Sequence, residues 1–379
     1  MKRSLLIALI LAVGFPTGAQ HLPLYQNTKT GTTLAFDYDH VWTYNLYERS
    51  RWGGGLELTI RDSITISGFV GYGVRDEQWK GGVGASYKLP WSHHGGTASL
   101  NVARDYHAAA SRRLKASSIT DIAGLSGFMT QLMDDRRCVD IAYLFSFGRT
   151  TYVVEGSVFR GYKLYDSWLR PLYLVDGAEL ERSDGYELSV RMYHGAGFSA
   201  GAVVTDDFDW RLLAQYDRRF GIGPFYLSAF AQAGICGNTA PFYYQFDMGG
   251  TYGSPLWFRN SMLTLQPYEY VAQYFTYGSL RLQFKKPLFS LWSKLFAVGT
   301  NPRPMVGVSG AWGGRYDYGV GELTGGSSEA LTAVELMAGI DGLIRWGVAD
   351  YGVAFAVRPW PLDGGEARTA ILLTAGLVF

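Results

Sequence analysis

Residues 56–74, LELTIRDSITISGFVGYGV, alternate apolar and polar side chains on both sides of a short break at Asp62. Successive side chains of a β-strand point to opposite faces, so this alternation predicts strands with one apolar face and one polar face. The stretch therefore predicts two antiparallel strands joined by a tight turn. Its alternating apolar residues are Leu56, Leu58, Ile60, Ile64, Ile66, Val70, Tyr72 and Val74.

The same period of two recurs along the chain, for example from Trp79 to Leu89 and from Leu280 to Phe284. It predicts about sixteen strands, most of them near the ~10 residues that a tilted membrane strand requires. We place these strands at residues 31–39, 51–61, 63–74, 79–89, 96–104, 139–148, 151–163, 185–193, 196–205, 209–218, 225–235, 268–285, 304–313, 331–341, 344–358 and 368–379.

The composition is typical of strands with one apolar face and one polar or glycine-rich face. Aromatic residues make up 15% of the chain, glycines number 48, and charged residues account for only 18%. After the N-terminal segment, no apolar run is long enough for a transmembrane helix. The net charge of +1 gives no reason to expect nucleic acid as a partner. Cys138 and Cys236 could form one disulfide or remain two thiols.

The predicted links between strands differ in length at the two ends of the strands. The links at one end are 62, 90–95, 149–150, 194–195, 219–224, 286–295 and 342–343, and all of them except 286–295 are short. The long links, all at the other end, are 105–138, 164–184, 236–267, 314–330 and 359–367. Outer-membrane barrels have short periplasmic turns and longer external loops. We therefore predict an all-β fold, a transmembrane antiparallel β-barrel in the outer membrane of a Gram-negative bacterium.

The two ends of the chain fit this prediction. Residues 1–19 have two basic residues, an apolar run and small residues up to Ala19, which predicts a secretory signal peptide. A membrane anchor is the alternative, but the run is too short to span a bilayer. We expect residues 20–30 to form a short periplasmic segment and residues 31–379 to form the barrel. The terminal Phe379 would act as an insertion signal for the barrel assembly machinery.

Two segments depart from the period of two. Residues 118–133 place apolar side chains at helical spacing, which predicts a short helix in an external loop. Residues 287–295 predict a second short helix at the periplasmic interface, with Trp292 at headgroup depth.

The C-terminal third carries more specific patterns. Residues 245–313 contain a Tyr-Glu-Tyr run that leads into a long strand, a Pro-Leu-Phe turn and a glycine-rich strand. Glu335, Gly339 and Ile340 form a Glu-x-x-x-Gly-Ile hairpin pattern. On these residues the chain resembles a Bacteroidota outer-membrane barrel family related to the surface-antigen superfamily, which includes the BamA assembly barrel.

The resemblance implies a sixteen-stranded barrel whose sixth external loop, residues 236–267, folds into the lumen. It also implies that Arg259 lies at the tip of this loop, where relatives carry an Arg-Gly-aromatic motif; here the residues are Phe258, Arg259 and Asn260. Full-length relatives also have periplasmic domains. Since few residues precede the first predicted strand, we expect a barrel alone, without a chaperone-like assembly role.

Catalytic patterns are weak. The sequences GLSGF, residues 124–128, and GVSGA, residues 307–311, lack the spacing of a nucleophile elbow, and neither is predicted at a strand-to-helix turn. The glycine-rich residues 319–326 have no flanking strand and helix that would make a phosphate cradle. We therefore predict that the protein is not an enzyme and binds no cofactor.

Metal-binding patterns are also weak. His93 and His94 share one turn, but adjacent side chains point apart, so a solvated turn is favoured over a metal site. Asp206, Asp207 and Asp209 could hold Ca²⁺, but the spacing of an EF-hand is absent and a plain acidic turn is favoured. We predict no metal site.

The polar faces of the strands are predicted to point into the lumen. One interpretation is an interior braced by paired charges, and the other is a conduit whose basic residues favour anions. Bracing is favoured because an infolded loop would occlude the pore. The predicted lumen-facing residues are Glu57, Arg61, Lys80, Lys88, Glu187, Arg191, Arg211, Gln215, Arg281, Gln283, Lys285, Glu335, Asp341 and Asp350.

The sequence therefore predicts an outer-membrane barrel of surface-antigen type with a structural, envelope-biogenesis or gated-transport role. Its expected partners are outer-membrane lipid, the assembly machinery during insertion and a possible envelope complex. A porin-like passive channel for small solutes is the first alternative, and a barrel lipid hydrolase is the second.

Overall fold

In the computed structural model, β-strands are the only regular secondary structure of the described residues. The described residues are 21–37, 40–45, 48–90, 95–108, 133–164, 183–195, 197–205, 209–238, 240, 245–248, 256–257, 262–265, 270–287, 302–314, 331–346, 349–359 and 368–377. They form 21 strands. Among them, no helix has the length and hydropathy that a membrane crossing requires. The strands fall into two compact units, which we describe separately.

The N-terminal unit comprises residues 18–214 and 235–245. Its strands are β1 (His21–Asn27), β2 (Thr32–Asp37), β3 (Trp42–Asn45), β4 (Arg49–Ile60), β5 (Ile64–Gly73), β6 (Trp79–Lys88), β7 (Thr97–Ala108), β8 (Met133–Phe147), β9 (Thr150–Leu164), β10 (Ser183–His194) and β11 (Phe198–Thr205). From β4 to β11, each strand pairs antiparallel with the next. Strand β2 pairs with β1 and β4, and β3 pairs with β4.

The C-terminal unit comprises residues 215–234 and 246–379. Strands β12 (Trp210–Ile222) and β13 (Phe225–Cys236) have residues in both units. The remaining strands are β14 (Phe246–Asp247), β15 (Leu256–Trp257), β16 (Val271–Ala272), β17 (Tyr274–Phe284), β18 (Arg303–Gly314), β19 (Leu331–Trp346), β20 (Ala349–Arg358) and β21 (Arg368–Leu377). Strands β17 to β21 form an antiparallel meander. Strand β15 lies parallel to β21, and β14 pairs with β16.

The link between β4 and β5, around Asp62, is a tight turn as predicted. Arg61 and Asp62 both have positive φ, 51° and 52°, and the Ser63 N–H donates to the Ile60 carbonyl at 3.2 Å. Two successive left-handed residues make the type I′ geometry that matches the twist of a hairpin. The prediction of two antiparallel strands around this turn is confirmed.

Link length differs between the two ends of the strands in the N-terminal unit. One end carries the links 61–63, 89–96, 148–149 and 195–197, whereas the other end carries 74–78, 109–132, 165–182 and 206–209. The two longest links of this unit lie at one end of the strands, as predicted from the sequence, but 74–78 and 206–209 at the same end are short, so a strict alternation is not found.

An exposed apolar row crosses the N-terminal unit. Val83 lies opposite Val102, Val102 opposite Val139, Val139 opposite Val158, and Val158 opposite Tyr186. Directly opposite residues of an antiparallel pair share one face. All five side chains are between 42% and 66% exposed. The face is therefore apolar and uncovered across five strands.

The opposite face of these strands is polar. Asp140 lies opposite Ser157, Ser157 opposite Glu187, and Glu187 opposite Thr205. Ser157 and Thr205 are buried, and Asp140 and Glu187 are half-buried. Soluble domains place charged side chains outward and large apolar side chains inward, so this unit has the reverse arrangement.

The C-terminal unit has the same arrangement. Val306, Phe355 and Ile371 share one face, with exposures of 54%, 45% and 72%. On the other face, Glu335 and Arg358 are only 1% and 2% exposed. An apolar surface of this extent marks contact with lipid or with another apolar surface.

One predicted hairpin is wrong. The turn predicted at 342–343 does not form, because β19 continues to Trp346 and Trp346 pairs with Ala349. The register instead shifts between Ile340 and Ile344, and the glycine of the predicted turn has a φ of 71°. This glycine therefore lies in a β-bulge, where β19 has extra unpaired residues before its pairing with β20 resumes.

The period of two also missed several strands. Strand β1 contains Pro23, and its register shifts between Pro23 and Tyr25, so its side chains do not alternate cleanly. Strand β3 has only four residues, and β8 begins at Met133, before the predicted start at residue 139. The described residues form an all-β fold in which every pairing given above is antiparallel except that of β15 with β21; closure into a barrel and the count of about sixteen strands stay predictions.

Several predictions lie outside the described residues. These are the signal peptide at 1–19, the helices at 118–133 and 287–295 apart from their end residues Met133 and Pro287, the segments 124–128 and 319–326, and residues His93, His94, Asp206, Asp207, Arg259 and Phe379.

Candidate functional site: a buried carboxylate and the segment that it holds

One buried carboxylate in the C-terminal unit holds part of the 236–267 link. The Oε1 atom of Glu335 accepts a hydrogen bond from the Leu263 N–H at 3.1 Å. Its Oε2 atom accepts the Thr264 N–H and the Thr264 hydroxyl, both at 2.8 Å. Hydrogen bonds to an ionised acceptor are strong, and burial removes the competition of water. Glu335 thus fixes residues 262–265 against β19.

The period of two in β19 explains why Glu335 is available. Val334 and Leu336 on either side are 38% and 47% exposed, whereas Glu335 is 1% exposed. Adjacent residues of a strand point to opposite faces, so Glu335 lies on the face away from the apolar surface. The sequence placed Glu335 on this polar face, and the structure adds the backbone groups that it binds.

Apolar packing supports the hydrogen bonds. Met262 and Leu263 are fully buried, and Leu265 is 1% exposed. The residues that form a core cluster around Leu263 are Met305, Met337, Ala354, Ala356 and Ala370. They come from β18, β19, β20 and β21, and three of them are alanines. Small side chains on these strands leave room for the segment to lie against the sheet.

A second part of the same link is also buried. Phe246 is fully buried and Met248 is 1% exposed. The ring of Phe246 lies 4.8 Å from the ring of Phe275, and the Met248 N–H donates to the Tyr270 carbonyl at 2.9 Å. A Cβ on Gly234 would lie only 2.5 Å from Phe275, so glycine is needed there. We call residues 246–248 and 262–265 together the inward segment.

A charged cluster lies in the N-terminal unit at the end with the long links. Lys80 donates to Glu48 at 2.8 Å and also contacts Asp76. Arg51 donates to Glu48 at 2.9 Å and also to Asp105. Glu48 is fully buried and Lys80 is 2% exposed. Each buried charge therefore has a partner of opposite sign, as burial in a medium of low dielectric requires.

Asp76 lies between β5 and β6, at the rim of this cluster. It accepts hydrogen bonds from Lys80 and from the Tyr106 hydroxyl. Burial opposes its ionisation, but these hydrogen bonds outweigh burial and lower the pKa of Asp76 below its ordinary value. The Lys80 ammonium also lies 4.1 Å from the centre of the Tyr106 ring. Asp76 is therefore a charged member of the cluster.

Further ion pairs brace the polar face of the N-terminal unit. Arg191 of β10 pairs with Glu155 of β9. Arg136 of β8 lies 3.8 Å from Glu187 of β10. These pairs connect different strands, as the bracing interpretation of the predicted charges expects.

The polar face of the C-terminal unit carries a chain of hydrogen bonds. Arg219 donates to Gln283 at 2.8 Å, and Gln283 donates to Asp341 at 2.8 Å. The Lys285 ammonium lies 5.3 Å from the centre of the Tyr226 ring. The amide of Gln283 thus connects a cation with a carboxylate.

The predicted polar residues lie at several places in the structure, and Gln215 accepts a hydrogen bond from Gln232 at 3.3 Å. Those with contacts described above are Lys80, Glu187, Arg191, Gln283, Lys285, Glu335 and Asp341. Glu57, Arg211, Gln215 and Arg281 are half-buried, and Lys88 is exposed. Arg61 lies in the β4–β5 turn because the hairpin ends there, so it does not belong to a strand face. Asp350 lies in β20.

Sequence reasoning missed several contributors. Glu48, Asp76 and Asp105 lie outside the predicted strands, and Thr264 lies in a predicted loop. A signal for the acids was present, since Lys80 alternates with apolar residues and a cation on an enclosed face needs a counter-charge. No comparable signal identified Thr264.

The hydrogen bonds of Glu335 hold residues 262–265 against β19, and the ion pairs connect different strands. Ser309 of the sequence GVSGA lies within β18 and is followed by more strand. Within the described ranges, no three His, Cys, Asp or Glu side chains are arranged to hold a metal ion. Cys138 and Cys236 are buried and not bonded to each other.

Comparison with known proteins adds little to this picture. No protein-family model and no curated protein matches the sequence. Among solved structures, the chain is similar to one described as a bacterial polysaccharide outer membrane secretin. The sequence identity is 10% and the TM-score is 0.33, over 86% of this chain and 89% of that chain. At a TM-score this low, no functional conclusion follows from the similarity.

Proposed function

We propose that this chain is a transmembrane β-barrel of a Gram-negative outer membrane. We further propose that the inward segment obstructs its interior, and that displacement of this segment gates the passage of a polar solute. The reversed polarity of the strands carries the proposal, since large apolar side chains are exposed while Glu48, Lys80, Glu335 and Arg358 are buried.

The energetics of exposed apolar surface support a lipid environment. Burial of apolar surface is worth about 25 cal/mol per Å², so rows of exposed valine and isoleucine side chains are unfavourable in water. Antiparallel strands satisfy their backbone groups through neighbours, and closure of the sheet satisfies the edges, which a bilayer demands. The two longest links of the N-terminal unit lie at one end of the strands, which supports the same topology, and we propose that this end faces the outside of the cell.

The hydrogen bonds of Glu335 support an obstructed interior. A carboxylate on the polar face of a barrel strand points toward the lumen, and Glu335 binds the 262–265 part of the inward segment there. We also propose membership of the surface-antigen type, because Glu335 belongs to the hairpin pattern on which the resemblance depends.

Planar-bilayer conductance tests this function. We expect the reconstituted protein to conduct little and Glu335→Ala to conduct more, because the substitution frees the inward segment. Glu155→Ala is the matched control, since it also removes a carboxylate from a strand but does not contact this segment. Large conductance of the unaltered protein would favour the porin-like alternative. A purified chain that stays monodisperse without detergent would overturn the membrane proposal.

The proposed partners are outer-membrane lipid, the barrel assembly machinery during insertion and an envelope complex. A pull-down in mild detergent tests the last of these. The proposal assigns no catalytic activity, cofactor or metal; hydrolysis of phospholipid by the purified protein would favour the lipid-hydrolase alternative instead.

A further inference from the structure

Three arginines form a row on the N-terminal unit. Arg104 lies opposite Arg137, and Arg137 lies opposite Arg160. Each arginine is two residues from one of the three valines of β7, β8 and β9 in the exposed apolar row. Residues two apart in a strand share a face, so the arginines border the valines on the same outer surface. We call these three residues the arginine row.

The arginine row is accessible and carries three guanidinium groups. Arg137 and Arg160 are exposed, and the Arg104 side chain is 29% exposed. Asp135 pairs with Arg104 at 2.6 Å, and Asp184 is the residue opposite Arg160 in the β9–β10 pairing. Like charges directly opposite each other destabilise a sheet, and Arg137 has an arginine on each side. The row therefore brings three guanidinium groups together on one accessible face.

The position of the row identifies the kind of anion. The row lies toward the strand ends that carry the links 109–132 and 165–182. A step of two residues along a strand is about 6–7 Å. If the valines lie in the hydrocarbon, as the proposed function states, the arginines lie near the depth of lipid headgroups. The charged groups at that depth are lipid phosphates.

We propose that the arginine row is a binding site for the phosphate groups of a membrane lipid whose acyl chains lie along the neighbouring valines. The planar guanidinium group donates two parallel hydrogen bonds to phosphate oxygens, which a lysine ammonium does not match. The adjacent valines supply the apolar surface that a free phosphate ion would not use. This site rests on the membrane topology of the proposed function and adds a ligand class to it.

Lipid titration tests the ligand class. The full chain, purified in a non-ionic detergent, is titrated with brominated phosphatidic acid, and quenching of tryptophan fluorescence reports binding. Brominated diacylglycerol with the same acyl chains lacks the phosphate, and inorganic phosphate added as a competitor lacks the chains. We expect saturable binding of phosphatidic acid, at least about tenfold weaker binding of diacylglycerol, and no displacement by millimolar inorganic phosphate. Equal binding of the two lipids, or full displacement by phosphate, overturns the proposed lipid site.

Substitutions test the residues. We expect Arg137→Gln with Arg160→Gln to weaken phosphatidic acid binding at least about tenfold, because two charge-assisted contacts are lost. Arg149→Gln, at the opposite end of the β8–β9 hairpin, should bind like the unaltered protein. The double lysine variant keeps the charge and should lose less affinity; it decides the question if the glutamine variant does not fold. Unchanged binding in the double variants, or an equal loss in Arg149→Gln, overturns the site.

Insertion into vesicles separates this proposal from the proposed function. A protein that inserts but binds phosphatidic acid no better than diacylglycerol overturns the arginine row alone. A protein that does not insert overturns the membrane topology, and the lipid site with it.

Discussion

Glu335 accepts two hydrogen bonds from a single residue, Thr264, through the backbone N–H and the side-chain hydroxyl, each at 2.8 Å. The two residues are separated by 71 positions in the sequence, and both are buried. This contact therefore determines where the inward segment lies. Residues 262–265 lie in a link between strands, but this contact holds them packed against the polar face of β19.

Removal of the Glu335 carboxylate should release the segment. Glu335→Ala leaves two N–H groups and one hydroxyl without their acceptor, and a buried donor without a partner costs about 1–3 kcal/mol. We expect the urea midpoint of unfolding in lipid vesicles to fall, and protease cleavage near residue 264 to accelerate. Cleavage at the rate of the unaltered protein would show that packing alone holds the segment.

A milder substitution isolates the hydroxyl. Thr264→Val keeps the shape and both backbone contacts but loses one hydrogen bond to a charged group, which is worth about 1.5–3 kcal/mol. We expect a smaller loss of unfolding free energy than in Glu335→Ala, measured by the same urea titration. Thr332→Val in the same strand as Glu335 is the control, since it lacks this contact. If Thr264→Val and Thr332→Val lose the same unfolding free energy, the hydrogen bond of the Thr264 hydroxyl contributes nothing specific.

Leu263 should contribute by packing. It is fully buried in the core cluster with Met305 and Met337. Truncation of a buried leucine leaves a cavity and costs about 2–5 kcal/mol, so Leu263→Ala should lower the unfolding midpoint clearly. Leu336→Ala removes the same atoms from an exposed position of β19, where lipid can fill the space, and should have a smaller effect. Equal effects would mean that Leu263 is not packed as described.

The sequence predicted the strands where the period of two was undisturbed. Side chains around the turn at Asp62 alternate without interruption, and the hairpin there formed as predicted. The prediction failed where the backbone departs from a regular strand. Pro23 interrupts β1, and the glycine at 342 serves a bulge rather than a turn. A turn and a bulge both use glycine with positive φ, so the local sequence does not distinguish them.

The candidate site was predictable only in part. The period of two placed Glu335 on the polar face, because that property depends on its immediate neighbours. Its partner Thr264 comes from a link with no period, and the pairing depends on tertiary packing over 71 residues. Asp76 and Glu48 lie outside the predicted strands, so Lys80 on the enclosed face indicated that a counter-charge is needed but not which residues supply it.

Lys80 should contribute strongly to stability through the charged cluster of the N-terminal unit. Lys80→Met fills similar volume but leaves Glu48, which is fully buried, with one cationic partner fewer. Breaking one side of a buried ion pair costs about 3–5 kcal/mol, so we expect a large fall in the unfolding midpoint. Simultaneous Glu48→Gln should recover part of the loss, because the unpaired charge is gone. A double variant as unstable as the single one would show that packing of the lysine chain, and not its charge, is responsible.

The same cluster should make stability depend on pH through Asp76. Its folded-state pKa lies below the ordinary value of 3.8 despite the opposing effect of burial, because Lys80 and Tyr106 donate hydrogen bonds to the carboxylate. A group with a lowered folded pKa adds stability above its unfolded pKa, and that contribution is lost as the pH falls through the folded value. We therefore expect the unfolding midpoint to fall as the pH drops below about 4, and Asp76→Asn to flatten this part of the profile. Asp62→Asn, in the exposed turn at the opposite strand end, is the control, and its unfolding midpoint should fall at acid pH as in the unaltered protein. If Asp76→Asn and the unaltered protein lose stability in parallel over this range, the hydrogen bonds from Lys80 and Tyr106 do not stabilise the ionised form.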